Sequence, residues 1–570
     1  MGATARPAAL ARRDVDAYRP PWTDFGDFLQ QRQDAGRPYL VTVDEEGRPG
    51  RQWTVAQWQD LVTRVADRLV AEHGLGPGDH LATLAGNTPE GLAFAFGAWL
   101  VGACVVPLDP TESDERHAHA LRECGARLVG VDADPMLSRR TEQHPGVVAV
   151  RIADLLDAPH QETRAPGAGV SRPGTLDVPA LRVRTSGTTG GPKSVVLTMR
   201  SILVNCAAMQ EALGWGPDTR VLTVLPIQHV NGLLINSFMP WYAGGSTVLW
   251  ERFRSRRFWS VVDQTRATTS SLVPTVLEFL LAEGGEPGHR LEEVVSGSGP
   301  LRPATAEAFE QRFAVPVRQL YGLSETTAVL TVTPRVGLGG LPDELRASVG
   351  SEIPHASVDV HDPAGEPCRP GRTGEIVARG AMLLQEYAGD PDANAQAFAG
   401  GWFHTGDRGH WELGPDGRRW LFVDGRLRES IQRGGLTVVP HVIDEVVESH
   451  PHVQHAAAFA FPNRWYGEEV AVFVVPRGHV EEHEILAWCE ARLDRAHCPK
   501  VVVFGTELPM TRTGKVRRSE LAADLAEELA PRWADSFRTT PPEASRPHEP
   551  PEASGSPAHP GTEPRTKETE

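Results

Sequence analysis

Lysine is scarce in this 570-residue chain: only four of its 57 basic side chains are lysines. Two of the four stand among Gly and Thr residues, Lys193 in Arg184-Thr-Ser-Gly-Thr-Thr-Gly-Gly-Pro-Lys193-Ser194 and Lys515 in Leu508-Pro-Met-Thr-Arg-Thr-Gly-Lys515. A compact ammonium has been kept where the planar guanidinium fork does not substitute. Ahead of Lys193 come Thr185, Ser186, Gly187, Thr188, Thr189 and Gly190. Glycines let backbone N–H groups approach anionic oxygens, hydroxyls donate further bonds, and the lysine adds a mobile charge. This is a phosphate cradle; the density of the combination argues against a plain Gly/Ser/Thr surface loop. The run from Gly187 to Ser194 nearly satisfies the Walker A pattern. Pro192, however, removes an N–H where that motif needs Gly, and Val195-Val196-Leu197-Thr198 continues as strand rather than opening a helix. An ordinary P-loop NTPase is therefore disfavoured.

Further candidate segments follow in order. Gly297-Ser298-Gly299-Pro300-Leu301 is a tight loop, Tyr321-Gly322-Leu323-Ser324-Glu325 joins an aromatic ring to an acid, and Trp402-Phe-His-Thr-Gly-Asp407 and Gly425-Arg426 add an acid and a base. Taken singly, each has a bland reading: a core tyrosine, a solvated acid, a turn, a surface lysine. Taken in this order with the lysine loop, over roughly residues 25 to 525, they resemble the adenylate-forming superfamily of acyl-CoA synthetases, peptide-synthetase adenylation domains and luciferases.

The resemblance implies roles. Thr185 to Gly190 with Lys193 would bind phosphates; Gly297, Ser298, Gly299 and Pro300 would form the adenine-side loop; Tyr321, with Gly322 and Ser324 beside it, would stack on adenine. Glu325 would help hold Mg2+, a role suited to a hard oxygen ligand beside substrate phosphates. Asp407 would accept the ribose hydroxyls with Arg426 nearby, and Lys515 would reach the carboxylate and α-phosphate, where negative charge builds. His229, in Leu225-Pro-Ile-Gln-His-Val-Asn-Gly232, would wall the acyl pocket, a satisfied core histidine being the alternative. Arg433, Gly434 and Gly435 resemble the segment that lines the pantetheine tunnel of CoA ligases, and Arg428-Glu429 occupies the hinge. The implied catalytic set is thus Lys515, Lys193, Glu325 and His229, with ATP, Mg2+ and coenzyme A as cofactors.

The reaction so implied is attack of a carboxylate on the α-phosphate of ATP, then transfer of the acyl group to CoA. The alternatives are transfer to a carrier-protein phosphopantetheine or an amine, activation of another oxyanion such as nitrite, and, outside enzymes, a nucleotide-binding regulator. The pocket residues His229, Asn231, Gly232, Phe238, the Gly297 loop and Leu323 to Thr327 form a largely apolar set suited to an aromatic or medium aliphatic acid. Three departures from the family pattern stand out. Ser194 replaces a Gly and would place a Cβ near the phosphates, Arg428-Glu429 replaces Lys-Asp, and Val442 replaces a Glu.

Elements must position these residues. Thr54-Val-Ala-Gln57 reads as a capping box opening a helix that buries Trp58, Leu61, Val62, Val65 and Leu69 and stops at Gly74. His80 to Ala85 reads as a buried strand, Pro89 to Leu100 as an apolar helix and Ala103 to Leu108 as a strand, an alternation that predicts an α/β fold with parallel strands. The expected organisation is an N-terminal extension over 1–24, a large α/β domain of packed mixed sheets and helices over 25–425, and a small mobile α+β domain over 426–528. A Pro/Glu-rich disordered tail is expected over 529–570. A net charge of −17 argues against a binder of nucleic-acid backbones. No signal peptide or membrane span is evident, and six scattered cysteines without a C-x-x-C pair favour reduced thiols, so a cytoplasmic location is expected. His117 and His119 would face different directions on a helix and make a poor metal pair. Oligomeric state stays open.

Overall fold

The computed structural model describes Val15 and residues 18–132, 147–157, 175–185, 193–285, 288, 291–433, 436–463, 466–510, 516–525 and 529. The expected tail, apart from Leu529, lies outside the described residues.

The capping box at Thr54 forms as expected. Its hydroxyl accepts from the Gln57 N–H while the Gln57 side chain accepts from the Thr54 N–H at 2.9 Å, and the helix Val55–His73 ends on Gly74 with φ at 61°. Its apolar stripe packs on the helix Pro89–Leu100, which is buried on nearly every side. Aromatic rings fill the space between them and the neighbouring elements: Phe25, Phe28, Phe96, Trp99 and Phe238 stack and abut at centroid distances of 5.1–6.2 Å.

Four sheets form among the described residues. A nine-stranded sheet runs through Ser351–Glu352, Thr331–Val332, Val317–Tyr321, Glu293–Ser296, Thr269–Leu272, Arg220–Thr223, Ser246–Trp250, Pro38–Val43 and Pro49–Thr54. A seven-stranded sheet runs through Glu386–Tyr387, Lys193–Thr198, Pro179–Thr185, Cys104–Pro107, His80–Leu84, Leu128–Val131 and Val148–Arg151. The predicted parallel pairing is present in both. The helices Phe258–Thr265, Pro274–Glu283 and Pro303–Phe313 return the chain between successive parallel strands of the larger sheet. As a result the loops after Thr223, Leu272, Ser296 and Tyr321 gather at one edge, where ligands bind in such sheets.

A four-stranded antiparallel sheet joins Ser357–His361, Gly374–Arg379, Phe403–Leu413 and Arg419–Arg426. Asp424-Gly-Arg426 is therefore the end of this sheet, and the next one begins at Ile431. That sheet orders Leu436–Val438, Ile431–Arg433, Gly467–Pro476 and Val453–Asn463, with Val501–Phe504 parallel to Gly467–Pro476, and the helices Pro440–Glu448, Glu482–Glu490 and Arg518–Asp524 accompany it. One ion triad ties the two parts of the chain: Arg302 donates to Glu278 at 2.5 Å and to Glu448 on the Pro440–Glu448 helix at 2.7 Å.

All six cysteines are buried and free. No helix among the described residues is long and apolar enough to cross a membrane. His117 is buried with Nε2 2.8 Å from the Asp109 carbonyl oxygen, while His119 is exposed on the same helix, so the two do not share a face.

Candidate active site

The strands Pro179–Thr185 and Lys193–Thr198 pair antiparallel with Thr185 opposite Lys193, so they bracket the expected phosphate loop and hold its two ends together. The Thr185 hydroxyl donates to the Lys193 carbonyl at 3.3 Å. Ser186, Gly187, Thr188, Thr189 and Gly190 lie outside the described residues. The continuation of Lys193–Thr198 as strand is what distinguishes this loop from a Walker A loop.

Ser194 corrects the expectation drawn from sequence. Alternation along the strand turns its side chain away from Lys193, and its hydroxyl accepts from the Nε of buried Arg182 at 2.9 Å, while Arg182 also pairs with Glu123 at 2.8 Å. The hydroxyl is a partner for a buried guanidinium rather than a neighbour of phosphate.

Lys193 projects on the other face, its Nζ 4.5 Å from the centre of the Tyr387 ring. Tyr387 reaches it because the two-residue strand Glu386–Tyr387 adds to the sheet edge with Tyr387 opposite Val195. The Tyr387 hydroxyl in turn donates to Glu325 Oε1 at 3.1 Å. Glu325 lies in the single turn Ser324–Thr326 that follows Tyr321, and its carbonyl accepts from the Leu384 N–H at 2.7 Å. Gly322 is obligatory in the approach to this turn, since a Cβ there would stand 2.0 Å from the Ala328 carbonyl oxygen. Thr327 closes the turn at φ 67°, a left-handed conformation rare for a β-branched residue and characteristic of functional sites. The free valence of the Glu325 carboxylate suits Mg2+, which takes one or two protein carboxylates together with substrate phosphates and water.

Tyr321 ends its strand nearby, and its hydroxyl donates to Asp407 Oδ2 at 2.7 Å. Arg426 Nε pairs with Asp407 Oδ1 at 2.9 Å, the two residues being direct partners in the four-stranded sheet. The Asp407 N–H is held by the Thr405 hydroxyl at 3.0 Å. Burial, then the Asp407 charge, pushes the Tyr321 hydroxyl well above its usual range, so it remains a donor. Burial pulls the Arg426 guanidinium down, but Asp407 and Tyr321 outweigh it and the net direction is up.

His229 is half-buried just before the π-helix Asn231–Phe238, its N–H donating to the Pro226 carbonyl at 3.1 Å and its carbonyl accepting from the Leu233 N–H at 2.9 Å. π-Helical turns concentrate at functional sites. Asn231 links this turn to the Gly297 loop: its Oδ1 accepts from Ser271 at 2.8 Å and from Asn236 at 3.2 Å, and its Nδ2 donates to Ser298 at 3.4 Å. Ser298 stands at φ 67° between Gly297 and Gly299, with Pro300 next. Phe238, expected in the pocket wall, instead belongs to the aromatic core with Phe25 and Phe28.

In the second part of the chain, the Arg433 guanidinium is committed to Glu469 at 2.6 Å and to the carbonyls of Arg495 and Ala496 at 2.9 and 2.7 Å. Gly434, Gly435 and Lys515 lie outside the described residues; on either side of residues 511–515, Met510 and Val516 form an antiparallel bridge. Glu429 at the expected hinge pairs with Arg518 at 3.4 Å, and Arg518 also grips Asp444. Val442 is partly exposed in the first turn of the Pro440–Glu448 helix.

A cavity of about 230 Å3 opens at the opposite, amino end of the large sheet, between Trp215, Thr269, Glu293 and Arg335. Its charges are spent on one another: Trp215 Nε1 donates to Glu293 at 2.8 Å, and Arg318 and Arg335 each stand 3.5 Å from the same carboxylate.

With this geometry in place, comparison with known proteins decides the family. The model of the AMP-binding enzymes matches residues 29–388, and that of the AMP-binding enzyme C-terminal domain matches residues 442–515. The chain belongs to the AMP-binding enzyme family. Within the adenylate-forming superfamily it stands in the acyl-CoA synthetase branch. It is 32% identical to the sulfoacetate–CoA ligase of Cupriavidus necator, over 80% of this chain and 89% of the relative. It is 30% identical to the indoleacetate–CoA ligase of Aromatoleum aromaticum, over 84% and 94% respectively. The ATP-bound crystal structure of MatB from Rhodopseudomonas palustris shares the fold, with TM-score 0.80, 24% identity and coverage of 88% of this chain and 99% of the other. CoA ligases of this family use ATP, Mg2+ and CoA.

Sequence reasoning missed Tyr387, Thr405 and Arg182. Thr405 lies within a recognised segment and its hydroxyl could have been considered. Tyr387 is 62 residues from Glu325 and 194 from Lys193 in the chain, and no local pattern marks it.

Proposed function

We propose that this enzyme is an ATP-dependent acid–CoA ligase that activates a carboxylic acid as acyl-AMP and then forms the CoA thioester. The observation that carries the reading is the convergence, at the carboxyl edge of the parallel sheet, of Tyr321, Asp407 and Arg426 on one side and Lys193, Tyr387 and Glu325 on the other. Asp407 would hold the ribose, Tyr321 would meet the adenine face, and Lys193 would sit against the phosphates. Mg2+ held by Glu325 would supply charge neutralisation on the phosphate oxygens.

In the first step an oxygen of the acid attacks the α-phosphorus, the P–O bond to the β-phosphate breaks and pyrophosphate leaves. Catalysis here is positioning and charge stabilisation, and Lys515 is assigned to the oxygen atoms where charge accumulates. In the second step the CoA sulfur attacks the acyl carbon and AMP leaves. Gly434 and Gly435 would leave room for pantetheine, next to Arg433, whose guanidinium pairs with Glu469. His229 would stand at the acyl end. The acid itself is proposed to be aromatic or medium aliphatic, supported by the partly buried Val230, Leu323 and Ala328 at this edge.

The test is pyrophosphate release with ATP and Mg2+ over a panel of aromatic, aliphatic and dicarboxylic acids, with and without CoA, the products being identified by mass. Release with a thioester product is expected. Adenylate as the sole product would reassign the acceptor, and silence with every acid would overturn the reading.

A further inference from the structure

Lys193 and Glu325 carry opposite charges in a confined site, and nothing in the sequence explains what keeps them from closing on each other. Among the described residues no carboxylate stands within ion-pair distance of the Lys193 ammonium. Its neighbour is the Tyr387 ring, with Nζ 4.5 Å from the centroid, and the hydroxyl of that same ring donates to Glu325 Oε1 at 3.1 Å. One side chain therefore meets the cation with its face and the carboxylate with its edge.

We propose that Tyr387 is a positioning residue that holds the phosphate-binding ammonium and the metal-binding carboxylate apart and aimed before MgATP arrives. The proposal rests on the roles assigned above to Lys193 and Glu325. Its physical basis is a comparison of partners. A direct Lys–Glu pair in a partly desolvated site is strong and would have to be broken on binding, whereas a cation over an aromatic face and a neutral O–H donor to a carboxylate are weaker contacts that leave both charges available. The ring itself is fixed. Tyr387 is buried, the strand Glu386–Tyr387 is hydrogen-bonded to the Lys193 strand, and the Tyr387 N–H donates to Asn394 Oδ1 at 2.7 Å. Burial, then the Glu325 charge, pushes the phenol far above its usual range, so it stays protonated and can only donate to that carboxylate.

The hydroxyl and the ring can be tested separately. Tyr387→Phe keeps the face for Lys193 and removes the donor to Glu325; Tyr387→Leu removes both. ATP binding is measured by calorimetry without acid substrate, in EDTA and over a Mg2+ titration, alongside thermal unfolding. Tyr387→Phe should raise the Mg2+ concentration for half-maximal ATP binding roughly tenfold to a hundredfold, as expected for loss of one hydrogen bond to a charged group, with binding in EDTA unchanged. Tyr387→Leu should weaken ATP binding in EDTA as well. A Phe variant with wild-type Mg2+ dependence, or variants that lower only the melting temperature, would overturn the proposal. Lys193→Met and Glu325→Gln are run in parallel. If they leave nucleotide and Mg2+ binding intact, the assignment of the site has failed rather than the role of Tyr387.

Discussion

Asp407 shows what burial asks of one charged side chain. It is 4% exposed, and its two oxygens are divided between a phenol and a guanidinium. Tyr321→Phe removes the phenol donor while keeping the ring. Loss of a hydrogen bond to a charged group costs about 1.5–3 kcal/mol, so ATP affinity measured by calorimetry should fall roughly tenfold to a hundredfold, with the fold intact by circular dichroism. An unchanged affinity would show that this hydroxyl does not set the carboxylate for ribose. His410 offers a pH-dependent counterpart. Its Nδ1 lies 3.0 Å from Asp424, its ring stacks on Phe422 at 4.8 Å, and the Asp424 hydrogen bond raises its pKa against the opposing effect of burial. Because the folded-state value is raised, the stabilisation is fully present below the unfolded value of about 6.5 and disappears as pH rises through the folded value. His410→Phe, which keeps the stack, should therefore lower the melting temperature more at pH 5.5 than at pH 8.5. An equal loss at both would place the effect in packing.

At the scale of elements, the site depends on turns that only particular residues permit. The Tyr321 strand runs into the Ser324–Thr326 turn through Gly322, where a Cβ would collide with backbone rather than with a movable side chain. Gly322→Ala should destabilise the protein by about 1–3 kcal/mol in denaturant unfolding, the usual range for overpacking, and should displace Glu325 enough to raise the Mg2+ requirement. Wild-type stability would mean that the turn can relax. The π-helix Asn231–Phe238 does comparable work beside His229, fixing Asn231 between the Ser271 strand and the Ser298 loop. Two hydroxyl-bearing residues at φ 67°, Ser298 and Thr327, mark the same edge, and both follow strands of the parallel sheet.

Across the whole molecule, the Glu278–Arg302–Glu448 triad is an ionic contact that joins the region of the Gly297 loop to the C-terminal sheet and helices. Glu448 is well enclosed, and burial raises its carboxyl pKa despite Arg302. The Arg302 guanidinium, one third exposed, holds two carboxylates at once. Arg302→Ala should leave two acids facing each other and loosen the contact. The expected readouts are faster limited proteolysis near residues 427–433 and a larger radius of gyration by solution scattering. Identical digestion and scattering would assign the contact no role in domain placement.

Much of the candidate site could be proposed from the chain itself, because tight turns and caps are local devices. The Lys193 segment, the Tyr321 to Glu325 run, Asp407, Arg426 and the helix opened by Thr54 all declare themselves within a few residues. The same is true of the alternation that predicts parallel strands, which the period of buried apolar residues sets directly. What tertiary structure alone decided is which residues meet across the sheets. Ser194 serves a buried arginine rather than phosphate, because strand alternation turned it to the other face. Phe238 belongs to the aromatic core, because its helix packs there. Tyr387 stands between Lys193 and Glu325, because a two-residue strand from far along the chain completes the sheet edge. Strand partners so distant in sequence are chosen by the packing of the whole sheet, which no local pattern encodes.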